Sequence, residues 1–296
     1  RDGRKISTRL TRETSQGQVV GEMVGGAHPG DVVRSEDLLG EDILSVKTLT
    51  HPGIFDDVSF NVRRGEILGV AGLLGSRRSE IMRSLIGLLR GHTGQVIYKG
   101  DITNFASIRD AMNAGIGFVP EERKTEGLFL DDPLGANLVA ASLEKHSTLG
   151  LLNKKSIATA SARAIAAFSV KTQGPDEIIG SLSGGNQQKI LLAKWLERAP
   201  ELLIIEEPTK GVDVGAKFQI HTELQRRAAD GMAIIVVSSD FPELVSLSNR
   251  ILVVHEGKVT GQMTAADANE DMLLQMAAGL TVKQSAGNAT PEGIQL

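Results

Sequence analysis

"SLSGGNQQKILLAKWL", residues 181–196, runs almost directly into "LLIIEEPTKGVDVG", residues 202–215. The first stretch opens a helix with a Ser-Gly-Gly turn. The free N–H groups of a helix start and the positive end of its dipole suit an anion. The second stretch begins with four apolar residues, Leu202 to Ile205, as in a strand buried on both faces of a parallel sheet. Two carboxylates, Glu206 and Glu207, stand at its C-terminal end, the edge where open α/β sheets bind ligands. There Glu206 is placed to face a metal ion, and Glu207 to position an attacking water. A turn or a strand-end acid pair alone is ordinary. In this order and at this spacing, chance is a poor account of both.

Upstream, "GLLGSRRSE", residues 72–80, follows the apolar run "EILGVA" and leads into "IMRSLIGLL". Its spacing is that of a phosphate loop, G-x-x-x-x-G-K-[ST], in the expected strand-loop-helix context. Gly72, Gly75 and Ser79 fit, but Arg77 stands for the second glycine and Arg78 for the lysine. In a working loop, backbone N–H groups cradle the phosphates, the lysine reaches the outer phosphates and the hydroxyl holds Mg²⁺. By itself the match is no better than a Gly-containing turn before an amphipathic helix.

Around these motifs, apolar segments alternate with helical ones: "DILSVKTL", "DVSFNV", "EILGVAG", "QVIYKG", "GIGFVP", "ELLIIEE", "MAIIVVSS" and "RILVVHE" read as strands. The alternation predicts an α/β fold. From Lys124 the chain turns rich in Ala, Leu, Lys and Ser, and reads as a helical insert between two strands. The chain has 296 residues, a net charge of −4, no cysteine and only 3% aromatics. These values disfavour a broad nucleic-acid surface, disulfides, thiolate metal sites and base-stacking platforms. No apolar run reaches the ~18 residues that span a bilayer. The six histidines are scattered without metal-ligand spacing on a shared face. Trp195 is expected in the core, and "LQRRAADG" as a solvated helix end with a Gly cap.

An internal repeat is also visible. "RDGRKI" at the start parallels "HEGKVT", residues 255–260, each with the order of a tight hairpin turn. "LTRETSQGQVVGEMVGG", residues 10–26, then aligns without gaps to "MTAADANEDMLLQMAAG", residues 263–279, pairing Thr11 with Thr264, Met23 with Met276 and Gly26 with Gly279. The expected organisation is the end of a preceding unit in residues 1–26, a linker over 27–42, one domain over 43–280 and a disordered tail over 281–296.

"LSGGNQQK" followed by "LLIIEEPTKGVDVGAK" resembles the ATP-binding cassette of ABC transporters. The likeness is greater to the second cassette of fused ATPases that drive import of ribose, galactose, xylose and similar sugars. It covers about residues 43–280 and agrees with the repeat. It implies an α/β, P-loop NTPase-type ABC cassette with a mixed sheet, a small antiparallel β region and a helical subdomain inserted at about 124–185. By the same resemblance, Gly72, Gly75, Ser76, Arg77, Arg78, Ser79 and Glu80 would hold the ATP phosphates. Ser79 and Glu206 would hold Mg²⁺, and Glu207 would be catalytic. Ser183, Gly184, Gly185, Asn186 and Gln187 form the signature that completes a partner's ATP site. Glu121, in "GFVPEERKTEGL", stands where many cassettes carry the glutamine of the Q-loop. Asp213 belongs to the D-loop. Ser239 stands where the switch histidine usually sits.

Arg78 agrees with second cassettes of this kind, whereas Arg77 and Glu206 depart further. A side chain at 77 obstructs close approach to phosphate, and the extra methylene of Glu206 displaces its carboxylate from a metal that demands near-ideal octahedral geometry. Phe55 is the nearest candidate to stack on adenine, but its place in the strand points it to the core. The resemblance implies ATP and Mg²⁺ as cofactors. Its partners would be a first cassette in the same polypeptide, membrane-spanning permease subunits and, indirectly, a periplasmic sugar-binding protein, with no nucleic acid. The location would be the cytoplasmic face of the inner membrane. Two functions follow: an energy-coupling ATPase subunit with a weak local site, or a non-hydrolysing pseudo-cassette that lends its signature. A soluble DNA-repair or translation ATPase is disfavoured, because the chain shows neither a coiled-coil insert nor a basic patch.

Overall fold

The computed structural model describes residues 5–8, 10, 12, 14 and 39–280. The tail and nearly all of the expected preceding unit and linker lie outside the described residues.

Two sheets organise the domain. The smaller is antiparallel, in the order β2-β1-β4-β5: β1 is Asp42–His51, β2 Phe55–Arg63, β4 Thr93–Tyr98 and β5 Asp101–Thr103. The larger runs β12-β11-β3-β10-β9-β6, with β3 Ile67–Ala71, β6 Ile116–Val119, β9 Leu202–Glu206, β10 Ala233–Ser238, β11 Arg250–His255 and β12 Lys258–Thr264. All of its pairings are parallel except the β11–β12 hairpin. This is the expected mixed sheet with a small antiparallel region.

The continuous apolar runs have the cause inferred from sequence. Successive side chains of a strand point to opposite faces. Leu203 and Ile205 enter one core cluster, with Leu134, Leu138 and Ile190, while Leu202 and Ile204 enter another, with Val58, Val62, Ile81 and Met82. Both faces of β9 are therefore dry, and alternation with polar residues is impossible there. Phe55 and Trp195 are buried at 3% and 7% exposure, as expected.

The insert contains helices α3 (Leu134–Val139) and α4 (Lys154–Ala167), which pack on the signature helix α5 (Gly184–Glu197). Between α3 and α4 the chain also forms a hairpin of β7 (Ser147–Thr148) and β8 (Leu151–Leu152). Two-residue strands carry too little pattern to be legible in a sequence. The remaining helices are α1 (Arg78–Leu85), α2 (Ile108–Asn113), α6 (Val214–Ala229), α7 (Phe241–Leu247) and α8 (Glu270–Ala277). Gly231, at φ 96°, stops the chain after α6 as anticipated.

Register places the site. Ser238 of β10 lies opposite Ala71 of β3, and Val237 opposite Glu206 of β9. The C-terminal ends of three strands, each followed by a motif segment, thus open at one edge.

The turn of "HEGKVT" has Glu256 at φ 46° and Gly257 at φ 78°, the two left-handed residues of a type I′ hairpin. The Gly257 N–H donates to the Ser76 carbonyl at 2.9 Å, so this turn also buttresses the phosphate loop. A Cβ at 257 would stand 2.4 Å from the Ile54 carbonyl oxygen and 2.6 Å from Phe55 Cα. Gly257→Ala should therefore lower stability by about 1–3 kcal/mol in urea unfolding. An unchanged midpoint would show that the turn is not a clamp.

Candidate nucleotide site

The phosphate loop leaves β3 at Gly72, where a Cβ would come within 2.4 Å of Ser76 Oγ. The Ser76 N–H donates to Leu73 O at 3.0 Å, and Gly75 turns at φ 85°. Arg77 keeps the glycine-type conformation, with φ 73°, and stands at the start of α1. A residue with a Cβ is strained there. Its guanidinium lies on the surface, bonded to Glu80 at 2.8 Å. The loop thus has a glycine-type turn at a residue that is not glycine.

Arg78 fills the loop from inside. It donates to Gly72 O, to Leu73 O at 2.9 Å and to Ser76 Oγ at 3.4 Å. Its other terminal nitrogen meets Glu207 Oε1 at 2.9 Å, in a pair whose side chains are only 11% and 9% exposed. Glu207, at φ 46°, also accepts the Ser239 N–H at 2.8 Å and the Ser238 hydroxyl at 3.4 Å. The switch position thus touches the acid through its backbone, and the hydroxyl that faces Glu207 belongs to the preceding residue.

Glu206 is 1% exposed. Its Oε2 accepts from Arg83 at 3.1 Å and from the Glu121 N–H at 3.4 Å, and the Ser79 hydroxyl lies near this carboxyl. Burial pushes the Glu206 carboxyl above the usual range, and these donors oppose the shift. Its Oε1 is buried without a partner. Arg83 is fixed from further sides, by Glu126 at 3.0 Å and by the Phe118 ring, whose centre lies 5.8 Å away. Ser79 and Glu206 do come together as expected. However, one carboxylate oxygen is occupied by a guanidinium and the other is sealed. Mg²⁺ retains several waters and an octahedral shell. These residues as arranged do not fit it.

Glu121 accepts from Lys210 at 2.6 Å, and the Lys210 carbonyl accepts from Arg123 at 3.0 Å. Arg123 also lies against the signature. A Cβ on Gly184 would stand 2.9 Å from its guanidinium.

The signature residues divide in two. Ser183 and Gly184, at the start of α5, reach the surface. Gly185, Asn186 and Gln187 are buried. Asn186 donates to Ser183 Oγ at 3.0 Å and accepts the Lys171 N–H at 3.1 Å, while Gln187 donates to Ile179 O and Leu182 O at 3.2 and 3.1 Å. These amides shape the turn that presents Ser183 and Gly184. Asp213 caps α6 by accepting the Ala216 N–H at 2.9 Å.

A buried network behind the switch escaped the sequence reading. Glu243 accepts from Thr209 at 2.6 Å and contacts His221 and Ser238, both at 2.8 Å. Burial would raise its carboxyl, yet these partners hold it below the usual range. Arg83, Arg123 and Lys210 were missed as well. Only Arg83 carried a signal, being four residues beyond Ser79 on the same helix face.

A phosphate loop, a strand-end acid pair and a Ser-Gly-Gly helix start, set on one mixed sheet, define the class of nucleotide-binding cassettes. The family model described as "ABC transporter" matches residues 55–210, more than half of the chain, and the chain belongs to that family. ATPases of this family bind ATP with Mg²⁺. A putative ribose/galactose/methyl galactoside import ATP-binding protein of Halalkalibacterium halodurans is 40% identical over 279 residues, covering 94% of this chain and 53% of that protein. A ribose import ATP-binding protein of Bacillus subtilis is also 40% identical over 279 residues, covering 94% of this chain and 57% of that protein. The chain spans about half the length of the curated relatives it matches. A dimeric bacterial ABC transporter cassette superposes with a TM-score of 0.67 at 20% identity, over 75% of this chain and 98% of that one. A nucleotide-free cassette gives 0.65 at 17% identity, over 80% and 96%. At these identities the superpositions show the fold. No helix among the described residues is long and apolar enough to cross a membrane.

Removing one partner of a buried ion pair strands the other. Arg78→Met should therefore destabilise the domain by about 3–5 kcal/mol in urea unfolding, and adding Glu207→Gln should recover much of the loss. If the double variant is as unstable as the sum of the two singles, the pair is not coupled.

The Glu243 network sets a pH dependence. The folded carboxyl lies below its unfolded value, so its contribution is complete above the unfolded value and is lost as pH falls through the folded one. Stability measured from pH 7 downward should fall below about pH 4.5, and Glu243→Gln should flatten that slope. A parallel slope in the variant would remove Glu243 as its source.

Proposed function

We propose that this chain is the second cassette of a two-cassette ATPase that drives monosaccharide import. Its signature completes the ATP site of the first cassette, and its own site turns over slowly or not at all. The observation that carries this reading is the contrast between the two faces. Ser183 and Gly184 stand open at a helix start, whereas Glu206 and Glu207 are closed by arginines.

The printed names of the relatives, as ribose or ribose/galactose import ATP-binding proteins, support the substrate class. The chain's half-length share of those relatives and its internal repeat support a fused partner.

In this reading ATP draws the two cassettes together head to tail. The N–H groups at the start of α5, with Arg123 beside them, complete the charge around the partner's outer phosphate. Closure is transmitted to permease subunits through the segment around Glu121 to Leu128 and the insert. A periplasmic sugar-binding protein supplies the sugar from the other side, and the ATPase sits peripherally at the cytoplasmic face. At the local site, Gly72, Gly75, Ser76 and Ser79 keep the cradle's shape. Glu207 remains the only candidate base, but it must be released from Arg78 before it can orient water.

The second reading, a pseudo-cassette that never hydrolyses, draws on the same Arg78–Glu207 pair.

In the two-cassette protein, Gly184→Glu should cut ATP turnover by about 10²-fold or more, the scale of losing a positioned transition-state contact. Glu207→Gln should change it by less than twofold. A twofold or larger loss with Glu207→Gln, while the first site remains occupied, would overturn the proposal. Turnover by this chain alone that disappears in Glu207→Gln would exclude the pseudo-cassette.

A further inference from the structure

The insert carries a feature that the cassette chemistry does not use. The β7–β8 hairpin turns through Leu149 and Gly150, at φ 51° and 79°. Such a turn favours Asn or Asp at its first residue. Leucine there is strained, and its side chain is 99% exposed. Leu151 and Leu152 follow at 76% and 54% exposure, and Leu143 just before the hairpin at 44%. Single exposed leucines are ordinary, but a contiguous set marks a contact surface.

At the foot of this hairpin lies an open cavity of about 440 Å³, lined by Lys145, His146, Asn153, Lys155, Ser156 and Arg163. Glu197 also lines it, but Arg163 holds that carboxylate at 2.6 and 2.8 Å. The balance is three fixed cations against one carboxylate. Nearby Glu144 is engaged by Arg198 at 2.6 Å. Lys154 and Lys155 are exposed and have no carboxylate partner among the described residues. The start of the 14-residue α4, capped by Asn153, opens at the same place. His146 is 5% exposed, and its Nδ1 is engaged by Ser156 at 2.9 Å. Its Nε2 lies 3.4 Å from Glu197, out of line for a hydrogen bond, and is left without one. The cavity therefore combines cations, a helix start and an unsatisfied buried nitrogen, and residues on either side of the leucine-bearing hairpin line it.

We propose that this part of the insert binds the surface of an anionic phospholipid bilayer. A lipid phosphate occupies the basic cavity, and Leu149, Leu151 and Leu152 enter the boundary between headgroups and acyl chains. Each half of the arrangement matches one half of such a lipid. Basic residues gain from the negative surface potential, and exposed leucines gain from leaving water. The inference is independent of the importer reading. It concerns a face other than the signature and the strand-end acids.

The test is co-sedimentation of this chain with vesicles of phosphatidylcholine containing 30% phosphatidylglycerol, and with phosphatidylcholine alone. The bound fraction should be at least fivefold higher on the anionic vesicles and should fall when salt is raised from 0.1 to 0.5 M, because exposed charges are then screened. Leu149→Ser with Leu151→Ser should reduce binding at least fivefold at either salt concentration. Lys154→Glu with Lys155→Glu should abolish the preference for anionic vesicles. All of these side chains are exposed, so circular dichroism and thermal unfolding should match the parent. No sedimentation, equal binding to both vesicles, or leucine variants that bind like the parent would each overturn the proposal. So would saturation of the cavity by inorganic phosphate with no vesicle binding, or a leucine effect confined to self-association of the chain. Failure here leaves the turnover test of the signature untouched, and failure there leaves vesicle binding as it is.

Discussion

The buried contact between Arg78 and Glu207 joins the two halves of the site. One residue begins the helix after β3, and the other follows β9, with β10 lying between those strands. Parallel register brings the strand ends level, and the guanidinium then closes the gap. It satisfies the loop carbonyls of Gly72 and Leu73 with the same group that neutralises the acid. A compact lysine ammonium is a point charge. A guanidinium is a rigid fork that can serve a carboxylate and carbonyls together. The arginine therefore does more than carry a charge, because it ties the cradle to the strand-end acid.

A second arginine repeats the theme at Glu206. With glutamate in place of the usual aspartate, the carboxylate reaches a guanidinium that is fixed by Glu126 and the Phe118 ring. The strand-end acids are paired one to one with cations from α1. Such pairs are costly to break singly, because the survivor is left charged in a dry place. That cost holds both acids against α1. On the other face, Asn186 and Gln187 spend their hydrogen bonds on the turn itself, which presents Ser183 and Gly184 at the helix start.

Much of this was legible in the chain. Leu202 to Ile205 announced a strand buried on both faces because no polar residue interrupts them. The Ser-Gly-Gly turn announced a helix start, and Gly257 the hairpin. Arg77 stood where the pattern places a glycine, and its φ of 73° is a glycine-type angle that a residue with a Cβ adopts under strain. What was not legible depends on three-dimensional neighbours. Helix spacing from Ser79 hints at Arg83, but nothing in sequence joins Lys210 to Glu121, or Glu243 to His221 and Thr209. Each pair is separated by strands and helices, and such residues become partners only once register is known. The β7–β8 hairpin was missed because its strands are two residues each and its turn carries leucine where asparagine is favoured.

The hydrogen bond from Gly257 to Ser76 gives the phosphate loop a support from outside its own segment. The loop is thus held from two directions, by the Arg78 guanidinium inside it and by a hairpin far along the chain. Its curve is therefore a property of the whole domain rather than of residues 72–80 alone.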